Sequence, residues 1–559
     1  MARHGLMRTK SVEQSIAETD EPGTRLRRDL TAWDLTVFGV AVVIGAGIFT
    51  LAARTAGNVA GPSVSLSFVL AAIACGLAAL CYAEFASTLP VAGSAYTFSY
   101  ATFGEFLAWI IGWDLILEFA LASAVVSKGW SDYLREGLAL LGLDVPTTVT
   151  LGSLEFDWGA VLLIAVLTLL LALGTKLSSR VSQVITAIKV AVVLLVIIVG
   201  FAYVRAENYS PFIPPAQGSA EGGGSGLDQS LLSLVFGVET STYGVFGLLA
   251  AASLVFFAFI GFDVVATTAE ETRNPQRDLP RGILGSLLIV TVLYVLVALV
   301  LTGMQSYQEL ATQPGGQDAT LATAFAANGV DWAAGVISVG ALAGLTTVVM
   351  VLMMGQIRVL FAMSRDGLVP RRLAPTGRRG TPVRATLLVG GVVAVVAGFL
   401  PAHALEEMVN VGTLFAFVLV SAGVIVLRRT RPDLKRGFRV PLVPLIPILA
   451  ILACVWLMFN LTALTWVRFS IWMALGAVIY FVYGYRNSTL ARRERMATAP
   501  AGAAAGPVPS EAGDAAGGRG GAGPRGPATA QDDGADGASG GGSTSDGTGD
   551  GSSSGAAGD

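Results

Sequence analysis

Two apolar stretches broken by glycine at mid-length constrain this chain more than anything else in it. One reads Gly39-Val-Ala-Val-Val-Ile-Gly-Ala-Gly-Ile-Phe49, the other Phe256-Phe-Ala-Phe-Ile-Gly-Phe-Asp263. Each lies half-way along a segment long enough to cross a bilayer. Glycine costs about 1 kcal/mol against alanine inside a helix, so clustering it there weakens the helix at bilayer depth. Irregular backbone is tolerated at that depth only where protein buries it or a polar cavity adjoins it. Paired interruptions at corresponding places in two halves of a chain point to a carrier's substrate site.

The rest of the chain fits a bilayer. Hydrophobic residues make up 53% and charged residues 13%, against about 25% charged in soluble domains. A helical span needs ~20 predominantly apolar residues, and twelve segments are candidates: 33–56, 64–88, 104–130, 158–175, 182–203, 245–269, 281–303, 328–357, 385–400, 405–427, 442–464 and 466–484. Residues 1–30 are polar and charged, with no signal-peptide core, so the first span is expected to act as the insertion signal. With an inside N-terminus and alternating spans, the inside segments before the tail hold 27 Lys and Arg and the outside segments five. That asymmetry predicts an even span count and two cytoplasmic termini. After Met496 the chain is rich in Gly, Ala, Ser and Asp with a net charge of −6, a composition expected to stay disordered. The loop 207–230, with Glu221-Gly-Gly-Gly-Ser-Gly226, reads as a flexible external linker.

Where a helix breaks at Gly45-Ala46-Gly47, the following half-helix offers N–H groups at Ala46, Gly47 and Ile48 to an anion such as a carboxylate. Tight packing of small residues explains the same stretch equally well. Unwinding at Phe259-Ile260-Gly261 frees carbonyls near Phe257, Ala258 and Ile260 for an ammonium, while Asp263 suits a cap on the next half-helix. Donors for a carboxylate and acceptors for an amine make an α-amino acid site. Lys189 is the one lysine deep inside a span. A charged lysine at a helix centre costs about 2.5–3.5 kcal/mol on insertion scales. A proton carrier and a snorkelling side chain are the two readings of it. Glu118, inside the third span, reads as a pocket residue; Asp114 and Glu84 lie nearer the cytoplasmic end and read as structural.

Cys75, Cys81 and Cys454 all fall in spans without metal-ligand spacing, and His4 and His403 form no cluster, so no metal or other cofactor is expected. Walker A, Gly-x-Ser-x-Gly and His-Glu-x-x-His sequences are missing, which argues against ATP-driven pumping and against an enzyme. Nothing points to nucleic acid.

Several longer motifs carry a resemblance. Tyr82-Ala-Glu-Phe-Ala-Ser-Thr-Leu-Pro-Val-Ala-Gly-Ser-Ala-Tyr-Thr-Phe98, Ile44-Gly-Ala-Gly-Ile-Phe49, Phe257-Ala-Phe-Ile-Gly-Phe-Asp263, Glu270-Glu-Thr-Arg-Asn-Pro-Gln-Arg-Asp-Leu-Pro280 and Arg358-Val-Leu-Phe-Ala-Met-Ser-Arg-Asp-Gly367 resemble cationic amino acid transporters of the amino acid–polyamine–organocation superfamily. The resemblance covers roughly 25–485 and implies an all-α membrane protein of twelve helices, two inverted five-helix repeats (31–203 and 245–428) joined by an external loop (204–244). Two accessory helices (429–485) follow, between a cytoplasmic segment at 1–30 and a tail at 486–559. It implies that broken helices 1 and 6 bind the amino acid through Ile44, Ala46, Gly47, Ile48, Phe257, Ala258, Phe259 and Ile260, with Glu118 nearby. Lys189 matches the helix-5 lysine of proton-coupled bacterial relatives. The implied activity is proton-coupled uptake across the plasma membrane; exchange of amino acids, or sensing without transport, are the alternatives. Arg358 and Arg365 end the eighth span, where topology anchoring is the expected role and pairing with Glu270 or Glu271 as an inner gate is the alternative.

Overall fold

Helices carry this chain from Ala32 to Asn487, with two short antiparallel strand pairs between them. The computed structural model describes Arg8 and residues 29–91, 94–152, 154–174, 179–218, 226–238, 241–312, 319–375 and 381–491. The predicted disordered tail, the glycine run at 221–225 and most of the segment 1–30 lie outside the described residues. Met1–Thr498 forms one compact unit.

The first span is two helices. α1 (Ala32–Val43) opens on a capping box: Asp34 N–H donates to the Thr31 hydroxyl at 3.4 Å, and Thr31 N–H donates back to the Asp34 carboxylate at 3.0 Å. It stops at Ile44, whose ψ of 95° is extended. The chain bends through Gly45 and resumes as α2 (residues 47–60), which mixes π and α turns. Gly61, at φ +65°, then turns into α3 (Val64–Thr88). The helices that follow are α4 (Ser94–Thr102), α5 (Glu105–Leu140), α6 (Trp158–Ala172) and α7 (Ser179–Phe201).

The second broken segment repeats the pattern. α8 (Gly244–Val255) tightens into a 3₁₀ turn at Phe256–Phe259 and breaks at Ile260 (ψ 135°) and Gly261 (φ +117°). The second half, Phe262–Glu271, is 3₁₀ throughout. Then come α9 (Pro275–Met304), α10 (Asp331–Arg365), α11 (Val383–Phe399), α12 (Ala402–Thr430), α13 (Leu445–Phe459) and α14 (Ala463–Ile479). Eight of the described helical segments are long and apolar enough to cross a membrane, and four shorter apolar helices (α1, α6, α11 and α13) accompany them. Large apolar side chains point outward on α7, α9, α10 and α14, as at Ile198, Leu288, Val339 and Ile471, which suits contact with lipid.

One feature escaped the apolar pattern. Between α5 and α6 the strands Thr148–Leu151 and Leu154–Asp157 form a hairpin with Thr148 opposite Asp157. Asp157 there caps α6 through Ala160 N–H (3.0 Å) and accepts the Ser131 hydroxyl of α5 (2.6 Å), tying the two helices together.

Glycines set the close approaches that place the site. A Cβ at Gly47 would sit 2.3 Å from Ala258 Cα, so the two breaks touch backbone to backbone. One at Gly344 would sit 3.0 Å from Lys189 Cε, so α10 leaves room for the lysine stem.

Candidate functional site

The two breaks face each other in the buried core. Between them and the flanking α5 and α10 lies a small space lined by Val42, Gly45, Ala46, Gly47, Ala122, Val126, Phe257, Ala258, Ile260, Val348 and Leu352, with Val43 beside them. Its volume is about 20 Å³, room for about one water molecule. None of the predicted residues around it is more than 9% exposed.

Of the sequence-predicted residues, Ala46, Gly47, Phe257, Ala258 and Ile260 line that space together. Ile44, Ile48 and Phe259 are buried beside the breaks but point elsewhere. The break backbone is partly engaged. Ile48 N–H donates to Gly45 O at 3.3 Å, and Ile260 N–H donates to Phe257 O at 3.2 Å.

Lys189 reaches the first break from α7 and is fully buried. Its ammonium donates to Ala41 O at 2.7 Å and to Ile44 O at 3.2 Å. Those carbonyls are at the C-terminal end of α1, the negative end of its dipole, where a cation is stabilised. Sequence reasoning left snorkelling open; here the lysine turns inward to the break.

Tyr294 is the residue the sequence reading missed. From α9 its hydroxyl donates to Val43 O at 2.6 Å and lies 3.1 Å from Ala258 O, joining both breaks at one oxygen. The available signal was a lone tyrosine within an otherwise aliphatic span. Val348 and Leu352 on α10, and Ala122 and Val126 on α5, were also missed, because nothing in a run of apolar residues marks which face turns inward.

Glu118 is 1% exposed and is absent from the lining. It lies within electrostatic reach of Asp263 and Asp114, and its Oε1 has no hydrogen-bond partner. Asp263, expected to cap the half-helix after the second break, lies buried in its first turn instead: Gly261 holds the cap position, no side chain caps the half-helix, and Asp263 Oδ1 has no hydrogen-bond partner. Of the alternative inner-gate pairs, Arg358 and Glu271 stand 3.8 Å apart, both partly exposed. On the opposite face Arg54 of α2 pairs with Glu406 of α12, and Tyr133 of α5 donates to Phe49 O at 2.7 Å. Glu84, read as structural, is a tie between helices: Arg428 grips it at 2.8 and 2.5 Å and Val440 N–H donates to it at 2.7 Å. Among the described residues no group of acidic, cysteine and histidine side chains is placed to hold a metal ion.

Comparison with known proteins places this geometry. The chain is 45% identical to the branched-chain amino acid permease BcaP of Bacillus subtilis and 42% identical to the methylthioribose transporter of the same organism, each alignment spanning 87% of this chain and 99% of the relative. It is 39% identical to the vacuolar cationic amino acid transporter 2 of Arabidopsis thaliana, over 77% of this chain and 64% of that protein. The amino acid permease family model matches residues 30–483. This chain is a multi-pass membrane protein that belongs to the amino acid permease family of the amino acid–polyamine–organocation superfamily.

Proposed function

We propose that this protein imports amino acids across the plasma membrane by proton-coupled alternating access, through twelve helices in two inverted five-helix repeats (31–203 and 245–428) with both termini cytoplasmic. The observation that carries the coupling is the Lys189 ammonium on the Ala41 and Ile44 carbonyls. A protonated lysine neutralises the negative end of α1 and holds the first break together; a neutral one donates less strongly and loosens it. The positive end of the next half-helix, at Ala46, Gly47 and Ile48, receives the substrate carboxylate. The carbonyls at Phe257, Ala258 and Ile260 receive its ammonium, once the substrate displaces their present donors. Substrate and proton thus act on the same break, which couples them.

The side-chain end of the site is aliphatic: Ala122 and Val126 from α5, Val348 and Leu352 from α10. Such walls suit small or branched neutral side chains, because a charged group there has no partner in the lining. The likeness to a branched-chain permease supports that substrate class. Glu118 stands outside the lining and marks where a longer, polar side chain would have to reach.

The deciding experiment is uptake of labelled leucine, valine, alanine, arginine and methylthioribose into proteoliposomes, with and without an inward proton gradient. We expect gradient-driven accumulation of the aliphatic amino acids. Lys189→Ala should bind leucine yet lose accumulation by more than about tenfold. Accelerated exchange against preloaded leucine, with no accumulation in wild type, would make the protein an exchanger and Lys189 a structural residue. Accumulation of methylthioribose alone would overturn the amino acid reading.

A further inference from the structure

One turn of α5 holds two other segments at once, on the face that the proposed topology makes external. Tyr133 and Glu136 lie three residues apart, so they share one side of the helix. Tyr133 reaches α2, the half-helix after the first break, by donating its hydroxyl to Phe49 O at 2.7 Å. Glu136 reaches the segment between α9 and α10, where the Thr320 hydroxyl donates to its Oε1 at 2.8 Å. Thr320 in turn accepts Thr323 N–H at 3.1 Å and so opens the short helix Leu321–Ala327. Phe49, Tyr133, Thr320 and Leu321 are buried, none more than 1% exposed.

Glu136 has poor support for a charge. Its second oxygen, Oε2, is buried without a hydrogen-bond partner. The charged groups acting on it are Asp132 and Arg135 of its own helix, which pair with each other at 3.7 Å. Residues 319–327 carry no charge, and the one charged side chain of α2, Arg54, pairs with Glu406. Where α10 passes this turn, beside Gly137, it presents Leu342. A carboxylate so placed is costly to keep ionised, because burial removes water that nothing replaces. It also lies beyond the membrane-spanning part of α5: residues 105–130 alone cover about 39 Å at 1.5 Å per residue, more than the ~30 Å core of a bilayer. Burial pushes Glu136 up to about 7, against the Thr320 bond and Arg135, which lower it, while Asp132 raises it.

We propose that Glu136 is a proton-binding site on the external side of the carrier, and that a proton taken up there favours the packed arrangement of α2, α5 and residues 319–327 over one open to the outside. The inference rests on the transport reading above and adds a second proton-binding group to Lys189. Opening this face separates α5 from α2 and from Thr320, and water then returns the Glu136 carboxyl to the ordinary range of an exposed glutamate. A group that holds its proton more tightly in the packed state than in the open one shifts the balance toward the packed state as pH falls. An acidic exterior therefore helps to shut the outer face behind substrate, and a more alkaline one lets it reopen.

Val126 serves as the reporter, because it lines the space between the breaks from α5 and is 3% exposed. The native cysteines Cys75, Cys81 and Cys454 are buried and give a low background. A membrane-impermeant maleimide is applied outside right-side-out vesicles carrying Val126→Cys, alone or with Glu136→Gln, which stands for the protonated acid. The ratio of the two labelling rates at each pH cancels the pH dependence of the thiol itself. That ratio, Val126→Cys alone over the double variant, should rise about tenfold between about pH 5.5 and 8.5. Glu136→Asp should retain the rise. Tyr133→Phe should speed labelling at every pH and leave the rise unchanged, which separates a loosened contact from a titrating one. A flat ratio, or no external labelling at any pH, would overturn the proposal. Thermal unfolding of each variant checks that it is folded. If leucine neither stabilises wild type nor enters proteoliposomes, the transport reading fails instead, since the labelling ratio is measured without transport.

Discussion

Gly47 has no room for a side chain. A Cβ there would lie 2.3 Å from both Cα and Cβ of Ala258, a contact with backbone that no rotamer relieves. Gly47→Ala should therefore push the two breaks apart, at an overpacking cost of about 1–3 kcal/mol, and reduce leucine uptake more than tenfold. Gly76→Ala is the control: nothing lies within 4 Å of that Cβ, so uptake should be unchanged. Tyr294→Phe removes one hydroxyl shared between Val43 O and Ala258 O. Losing one buried hydrogen bond costs about 1 kcal/mol, and because Ala258 O becomes more available to the substrate ammonium, leucine binding should tighten or hold while turnover falls. A KM-against-kcat split in proteoliposomes reads this directly; a rise in KM at unchanged kcat would mean that Tyr294 contacts substrate instead.

At the scale of elements, the places where glycine breaks a helix were legible because glycine has a fixed cost that apolar context cannot hide. The chain bends at Ile44–Gly45 and Ile260–Gly261, within a residue or two of the expected positions. The form of the second half-helix was not legible: a 3₁₀ run over Phe262–Glu271 differs from an α-helix by packing against α1 and α9, and local sequence does not encode those neighbours. The Asp157 hairpin was hidden for a related reason, since two four-residue strands leave little pattern between long apolar helices. Glu84 shows how an acid near a span end turns from a generic residue into a tie. Arg428 holds it bidentately, Arg436 Nε lies 3.4 Å away, and Val440 N–H completes the carboxylate shell. This fastens α3 to α12 and to the segment that enters α13. Breaking a buried ion pair from one side costs about 3 kcal/mol. Glu84→Ala should lower the melting temperature by several degrees and loosen residues 431–443 to protease, while leaving leucine affinity within about twofold because the proposed substrate site is on other elements.

For the whole molecule the decisive fact is the small size of the space between the breaks. At about 20 Å³ the proposed site is too small for an amino acid, so binding there would separate the broken helices from α5 and α10, and the free energy of binding would be spent partly on that rearrangement. A ligand that selects the expanded state stabilises the folded protein by RT ln(1 + [L]/Kd), about 2.7 kcal/mol at a hundredfold excess over Kd. Leucine, isoleucine and valine should therefore raise the melting temperature of the detergent-solubilised protein by a few degrees, and arginine and lysine should not. Leu352→Ala opens the α10 wall of the aliphatic end. It should weaken protection by alanine and valine and create protection by methionine or phenylalanine, since a pocket discriminates one methylene by about 1–3 kcal/mol. Protection by arginine equal to that by leucine would mean that the expanding site recruits Glu118, and the side-chain end would then be polar in the bound state although it is aliphatic in the closed one.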